Sequence, residues 1–278
     1  MIHYHGTPIS GGKANAAKFL AGRHALVSHH HPDHIAEAAE VCQSFVLDNG
    51  AFSHFTKGKP KTEWADYYAW CETWLGYPTC DWALIPDVIG GDAAANDRLL
   101  LEWPHGKALG VPVYHMHEPV ERLSQLAGEW PRVALGSSGD YWNVGAPIWW
   151  ERMDEMMRAV CDDQGRPRCR LHGLRMLNWQ VFTELPLASA DSVNAGMNCQ
   201  RNGAKEGVDP FIGALITAAR IEAHNSSATW KGVPVKGCEE ALEPSADTSA
   251  VGAQQSLFYG IGVLEPCGEL LTDSRTAM

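Results

Sequence analysis

The most constraining feature of this sequence is a repeat of short apolar runs, each of which ends in polar residues. Eight such runs precede residue 192, and patterns typical of helices separate them. Buried strands that alternate with helices indicate parallel strands joined by helical crossovers. Eight units predict an α/β fold, a closed (β/α)8 TIM barrel, and a chain of 278 residues commonly forms one such domain.

Each predicted strand is only three to five residues long. The eight predicted strands are residues 2–5, 25–28, 44–47, 82–85, 113–117, 133–135, 170–173 and 187–190. We expect the barrel to span residues 1–224. The serine-, alanine- and glycine-rich residues 225–278 have weak periodicity and predict an irregular or partly helical C-terminal extension of the same domain.

The helices between these strands have recognisable start signals. Asp92 and Asp209 are predicted N-caps, and Pro119, Pro147 and Pro210 stand where a first helical residue belongs. Aromatic residues between positions 60 and 75 recur at helical spacing, which predicts a helix packed on the core.

Composition limits the cellular setting of the protein. No apolar run approaches the roughly 18 residues that span a bilayer. The first ten residues, MIHYHGTPIS, lack the basic and apolar regions of a signal peptide. We therefore expect a soluble cytoplasmic protein that does not associate with membranes.

Barrel enzymes of this type place their active site at the carboxyl ends of the strands. The residues at those ends are His5, His29, Asp48, Asp87, His115, His117, Gly136, Ser137, His172 and Asp191. Charged groups are costly to bury without partners, so a ring of carboxylates and imidazoles predicts a catalytic cavity.

Three strand-end aspartates suit covalent base exchange. One aspartate can attack an anomeric carbon and form a glycosyl-enzyme, while a second carboxyl group transfers the proton. A third carboxylate can accept hydrogen bonds from the edge of a purine. Backbone N–H groups of Gly136 and Ser137 are candidate donors to a purine carbonyl oxygen.

Four strand-end motifs, LDNGAF, LIPDVIGG, VALGSSG and ASADS, together resemble those of the tRNA-guanine transglycosylase superfamily. Their order and barrel position match across residues 1–224, and Asp48-Asn49-Gly50-Ala51-Phe52 is similar to the family's Asp-Ser-Gly-Gly-Phe. The resemblance implies roles for individual residues. They are Asp191 as nucleophile, Asp48 as acid/base, Asp87 and the Gly136 turn as base readers, and Phe52 as a pocket wall.

The same resemblance implies a substrate class. Family members exchange guanine in a nucleic acid for a 7-deazaguanine base such as preQ0, consume no cofactor, and act as homodimers. The family's zinc site has three closely spaced cysteines and a histidine, and Cys199, Cys238 and Cys267 do not reproduce that spacing. The chain looks most like compact phage-type relatives that modify DNA, so DNA is favoured over tRNA, and a host-cell cytoplasm is implied.

A DNA substrate requires the target base to be flipped out of the helix. The formal net charge of −11 argues against broad electrostatic attraction to DNA, so a local basic face is needed. The arginines between Arg158 and Arg175, together with Lys57, Lys59 and Lys61, are the predicted basic face. The alternative for the arginine segment is a solvated loop and strand edge.

The second hypothesis for the function is a metal-dependent hydrolase. His3 with His5, and His115 with His117, each place two imidazoles on one face of a strand. Together with His172 and Asp191, these pairs resemble the ligands of amidohydrolase barrels, where a divalent metal activates water.

Several histidines have more than one interpretation. His29 begins the run HHHPDH, whose imidazoles are either base-stacking and phosphate-contacting groups or part of a polar loop. One of His115 and His117 is expected to face the cavity, and His172 is expected to hydrogen-bond the ligand.

Overall fold

The structure, a computed structural model, describes residues 1–234. All of its strand pairs are parallel. The strands are β1 (Ile2–Gly6), β2 (His24–Ser28), β3 (Ser44–Asp48), β4 (Cys80–Leu84), β5 (Gly110–Val111), β6 (Val113–His115), β7 (Arg132–Gly136), β8 (Arg170–Leu174) and β9 (Ser189–Ser192). A strand lies at each of the eight predicted places, so the predicted TIM-barrel-like fold is confirmed.

Nine strands fill eight barrel positions because the strand at the fifth position begins at Gly110, before the predicted residues 113–117, and is split in two. The hydrogen-bonded order is β5-β4-β3-β2-β1-β9-β8-β7-β6, and its two ends, β5 and β6, are separated only by Pro112. On one side, Val111 accepts a hydrogen bond from the Ile85 N–H, and on the other Pro112 accepts from the Ala134 N–H, both at 2.9 Å. Proline has no N–H to donate, so the strand divides here and each half pairs with a different neighbour.

Helices follow most of the strands. They are α1 (Gly12–Leu20), α2 (Ile35–Val41), α3 (Ala51–Thr56), α4 (Ala65–Trp74), α5 (Ala93–Glu102), α6 (Val120–Glu129), α7 (Pro147–Val160), α8 (Trp179–Phe182), α9 (Asn194–Met197), α10 (Cys199–Glu206) and α11 (Pro210–Glu222). Two short 3-10 helices, Pro32–His34 and Gly139–Tyr141, lie beside the strand ends.

The predicted helix starts are largely confirmed. Asp92 and Asp209 cap α5 and α11, each accepting a backbone N–H at 2.8 Å. Pro147 and Pro210 are first helical residues, whereas Pro119 is one residue earlier, at the N-cap of α6. The helix expected over residues 60–75 is α4, which begins later, at Ala65, because residues 59–64 form a loop.

Alternating side chains along the strands separate an inner from an outer layer. Tyr4, Leu26, Val46, Trp82 and Ala134 point inward and fill the middle of the barrel. The side chains between them point outward and pack under the helices. The inward residues that follow this plug, at the carboxyl ends of the strands, are therefore free to line a cavity.

Only the first part of the predicted C-terminal extension is described. Ser226 donates a hydrogen bond to the Leu187 carbonyl at 2.7 Å, and the Trp230 indole donates to Asp154 at 3.1 Å. Residues 225–234 thus pack against the barrel. The prediction for residues 235–278 lies outside the described residues.

Candidate active site

A cavity of about 440 Å³ opens at the carboxyl ends of the strands. Its volume lies within the range of about 300–1,000 Å³ that is usual for ligand pockets. Seven of the ten predicted site residues line it: Asp48, Phe52, Asp87, His115, Gly136, Ser137 and Asp191. The other three, His29, His117 and His172, are not among the residues that line it.

Asp48 ends β3 at a turn that only glycine accommodates well. Gly50 has a φ of 77°, and a Cβ on it would lie 2.9 Å from the His30 Cβ. This turn directs the Gly50 N–H to the Asp48 carboxylate at 3.1 Å. Burial, opposed by a hydrogen bond from Ser28 and reinforced by the charges of Asp191 and Asp87, raises the pKa of Asp48 to about 7.

Asp87 is held by Asn49, for which the sequence predicted no role of its own. The Asn49 amide donates to Asp87 Oδ1 at 2.8 Å and to the Ile85 carbonyl at 2.9 Å, while its oxygen accepts from the Ala51 N–H at 2.7 Å. His115 Nε2 lies 3.0 Å from Asp87 Oδ2, at ion-pair distance but not aligned as a hydrogen bond. The carboxylate is therefore fixed in orientation at the cavity wall.

Asp191 is held from below by His172. The His172 ring is completely buried, with Nε2 3.2 Å from Asp191 Oδ1 and Nδ1 2.9 Å from the Ser189 hydroxyl. With its proton on Nε2, the ring donates to Asp191 and accepts from Ser189. The Arg175 N–H adds a second donor to the same oxygen at 3.1 Å. His172 therefore contacts the carboxylate and not the cavity, which corrects its predicted role as a ligand contact.

Arg175 is a site residue that the sequence did not indicate beyond its place in the predicted basic face. It is the one non-glycine residue with a positive φ, 59°, among the described residues. Its guanidinium lies 4.2 Å from the centre of the Phe52 ring, and Nη2 donates to the Ser137 carbonyl at 2.9 Å. The pair forms a flat cationic and aromatic wall of the cavity.

A second network supports the site from outside the cavity. Buried Glu118 accepts from the His115 N–H at 3.0 Å, from Asn96 at 2.8 Å and from Arg122 at 2.8 Å. Asn96 in turn accepts from the Val88 N–H at 2.7 Å. The loops that carry Asp87 and His115 are thereby tied together, a long-range arrangement for which the sequence carries no local signal.

Two histidines that were predicted to bind substrate have structural contacts instead. His29 lies edge-on and tilted against Tyr67 and Trp70, at ring-centre distances of 5.4 and 5.2 Å. The exposed His117 bridges two loops, with the Ser138 hydroxyl at 2.8 Å and the Gly91 carbonyl at 2.9 Å. Of the His115 and His117 pair, His115 is the one that faces the cavity.

The ligand set of the hydrolase reading does not come together. His3 and His5 point away from the barrel interior, where His3 contacts the His224 carbonyl and His5 contacts Glu222, each at 2.9 Å. Strand alternation explains this, because Tyr4 between them points inward. Within residues 1–234, no three His, Cys, Asp or Glu side chains are grouped so that they could hold a metal ion.

The predicted arginine face is also corrected. Arg170 begins β8, so it lies at the amino end of the barrel, opposite the cavity. Arg158 pairs with Asp154 at 2.7 Å, and Arg168 donates to Ser124 at 2.8 Å and to the Ala159 carbonyl at 2.7 Å. Of this segment, only Arg175 reaches the cavity.

Comparison with protein-family models, curated proteins and solved structures gives no match to this chain. Assignment to the TIM-barrel-like class therefore rests on the strand order and the parallel pairing. Within residues 1–234, no helix combines the length and the apolar character needed to cross a membrane.

Proposed function

We propose that this chain is a guanine transglycosylase. It exchanges guanine in a nucleic acid, with DNA favoured over tRNA, for a 7-deazaguanine base such as preQ0. The observation that carries the proposal is that three strand-end aspartates line one cavity in three different environments. Different environments allow carboxyl groups to take different roles in one reaction.

Asp191 is the proposed nucleophile. Two N–H donors, from His172 and Arg175, converge on Oδ1 and fix the orientation of the carboxyl group, and the other oxygen is the proposed attacking atom. That oxygen bonds to C1′ of the target nucleotide as the bond from C1′ to guanine N9 breaks. The product is a covalent aspartyl-glycosyl intermediate with an inverted anomeric centre.

Asp48 is the proposed acid and base. A pKa of about 7 leaves it partly protonated near neutral pH, so it can give its proton to the departing guanine. The resulting carboxylate then takes the N9 proton from the incoming 7-deazaguanine. N9 attacks C1′, the bond to Asp191 breaks, and a second inversion restores the original anomer without a cofactor.

Asp87 is the proposed reader of the purine edge. Guanine and 7-deazaguanine both present an N1–H and a 2-amino group, which are donors that match a carboxylate fixed by Asn49 and His115. Backbone N–H groups at Gly136 and Ser137 are the proposed donors to the base oxygen. The wall of Phe52 and Arg175 offers a face on which a planar base can stack.

A polymer substrate reaches such a cavity only if the target nucleotide leaves the base stack. DNA is the proposed polymer because the zinc-site spacing of tRNA-modifying relatives is missing from the sequence. Assembly as a homodimer is likewise proposed from the resemblance.

Labelled guanine tests the exchange directly. We expect the protein to incorporate radiolabelled guanine into guanine-containing DNA, and Asp191→Ala to abolish incorporation. Asp163→Ala, which removes an exposed carboxylate far from the cavity, is the matched control and should behave as wild type. Absence of incorporation into both DNA and tRNA, or incorporation that survives in Asp191→Ala, would contradict the proposal.

A further inference from the structure

Four side chains form a histidine–lysine cluster at the rim of the cavity: His30, His31, His54 and Lys57. The Lys57 ammonium lies 2.6 Å from His30 Nε2, and His30 Nδ1 lies 3.2 Å from His54 Nε2. The His31 ring is edge-on to His30, with ring centres 4.6 Å apart. His31 and Lys57 line the same cavity as Asp48.

The proton positions in this cluster follow from the lysine. An ammonium group only donates hydrogen bonds, so His30 Nε2 must accept and His30 must carry its proton on Nδ1. His30 Nδ1–H then donates to His54 Nε2. Burial and the Lys57 charge lower the pKa of His30 to about 4, which keeps the ring neutral in this role.

Lys57 is therefore a cation whose contact is a neutral imidazole. Three other lysines in the described part of the chain, unlike Lys57, form ion pairs with carboxylates: Lys13 with Glu37, Lys61 with Asp66, and Lys107 with Glu129. Lys57 forms no ion pair within residues 1–234, and its side chain is exposed. Its charge is available to an anion at the mouth of the cavity.

The position of this charge is informative because the chain carries a formal net charge of −11 and the cavity contains three aspartates. A polyanion is repelled by such a surface unless a local cation offsets the repulsion. Within the arginine segment, Arg158, Arg168 and Arg170 lie away from the cavity, and Arg175 lines it with its guanidinium against the Phe52 ring.

We propose that the histidine–lysine cluster binds a phosphate group of the nucleic-acid strand beside the target nucleotide. This rests on the proposed function and extends it to a named anion site. Lys57 supplies the charge, and His30, which is itself hydrogen-bonded to His54, holds the ammonium at the rim. His31, edge-on to His30, is a further N–H donor. The site fixes the position of the strand while Asp87 reads the base.

Fluorescence anisotropy with a labelled single-stranded oligonucleotide tests this without any requirement for base exchange. We expect Lys57→Ala to raise the Kd about tenfold at low salt. We also expect the slope of log K against log salt to fall by about 0.7, the value for one phosphate contact on a single strand. Lys57→Arg should bind within about twofold of wild type, because it keeps the charge. Lys18→Ala is the matched control, because it removes an exposed lysine in the last turn of α1, which leads back to the amino end of β2, opposite the cavity.

Two further ligands identify which phosphate is bound. An effect of Lys57→Ala on the oligonucleotide but not on dGMP indicates a neighbouring phosphodiester, and an effect on both indicates the phosphate of the target nucleotide itself. Either result supports a phosphate site. An unchanged Kd and salt slope in Lys57→Ala would overturn it, even if labelled guanine is exchanged. Conversely, a Lys57-dependent Kd without any exchange would refute the transglycosylase and leave the phosphate site standing.

Discussion

Replacing Asp48 with asparagine should stabilise the protein while it abolishes the proposed chemistry. The carboxyl group has a pKa of about 7 in the folded chain, compared with an ordinary value of 3.8. Each pKa unit is worth about 1.4 kcal/mol, so ionised Asp48 destabilises the fold by about 4 kcal/mol at most. Asp48 borders an open cavity, where solvent screens part of this unfavourable energy. We therefore expect Asp48→Asn to raise the free energy of unfolding by about 2–4 kcal/mol at pH 8.

The sign of the pH dependence follows from the raised pKa. Below about pH 4 the carboxyl group is protonated in both folded and unfolded chains and contributes nothing. Between pH 4 and 7 it ionises in the unfolded chain first, so wild-type stability falls as the pH rises. Above about pH 7 the carboxyl group is ionised in both the folded and the unfolded chain, and the loss of stability no longer changes with pH. The advantage of Asp48→Asn should therefore grow from pH 4 to 7 and then level off.

Urea unfolding of the two proteins at five pH values between 4 and 8 measures this advantage. The midpoint difference should be small at pH 4 and largest at pH 7 and 8, with unchanged m-values. Asp163→Asn, an exposed substitution, should show no pH-dependent difference from wild type. A difference for Asp48→Asn that is constant with pH, or one that favours wild type at pH 8, would refute the assignment of a raised pKa to Asp48.

Three further predictions address the site and the turn that forms it. In steady-state kinetics, kcat/KM for the nucleic acid should fall above about pH 7 as the Asp48 acid loses its proton, and a rate that is flat up to pH 9 would argue against that role. His172→Ala should lower kcat about 10- to 100-fold and change KM for the nucleic acid less than about threefold, because it removes a donor that orients Asp191. A change in KM alone would instead indicate that His172 contributes to substrate binding. Gly50→Ala should lower the free energy of unfolding by about 1–3 kcal/mol in thermal unfolding, since its φ is 77° and the new Cβ would lie 2.9 Å from the His30 Cβ. Gly58→Ala should be less destabilising, because φ there is 67° but no atom lies within 4 Å of the new Cβ. Equal losses of stability in the two variants would contradict the close approach at Gly50.

The barrel and its three aspartates could be predicted because both depend on local patterns. Short apolar runs fix the strands, parallel pairing brings their carboxyl ends to one face, and residues such as Asp48 and Asp191 end those strands. Closure of the barrel follows from the same strand pattern. The division of the fifth strand into β5 and β6 at Pro112 was not predicted.

The predictions that were wrong depend on the direction in which a side chain points. His172 lies one residue pair below the cavity on β8, so it reaches Asp191 but not a ligand. A metal site at His3 and His5 requires both rings to point inward, whereas Tyr4 between them occupies the inward position. Contacts between distant loops, such as Asn49 with Asp87 and Glu118 with Asn96, connect residues 22 to 38 positions apart and leave no short-range signal.

Trapping the covalent intermediate is the most direct test of the proposed chemistry. Wild-type protein incubated with a guanine-containing oligonucleotide and quenched in acid should yield a protein–DNA adduct, resolved by denaturing electrophoresis and mapped by mass spectrometry to Asp191. The adduct should form in Asp87→Asn at a reduced level and be missing from Asp191→Ala. An adduct on another residue, or guanine exchange at full rate in Asp191→Ala, would contradict the assignment of Asp191 as the nucleophile.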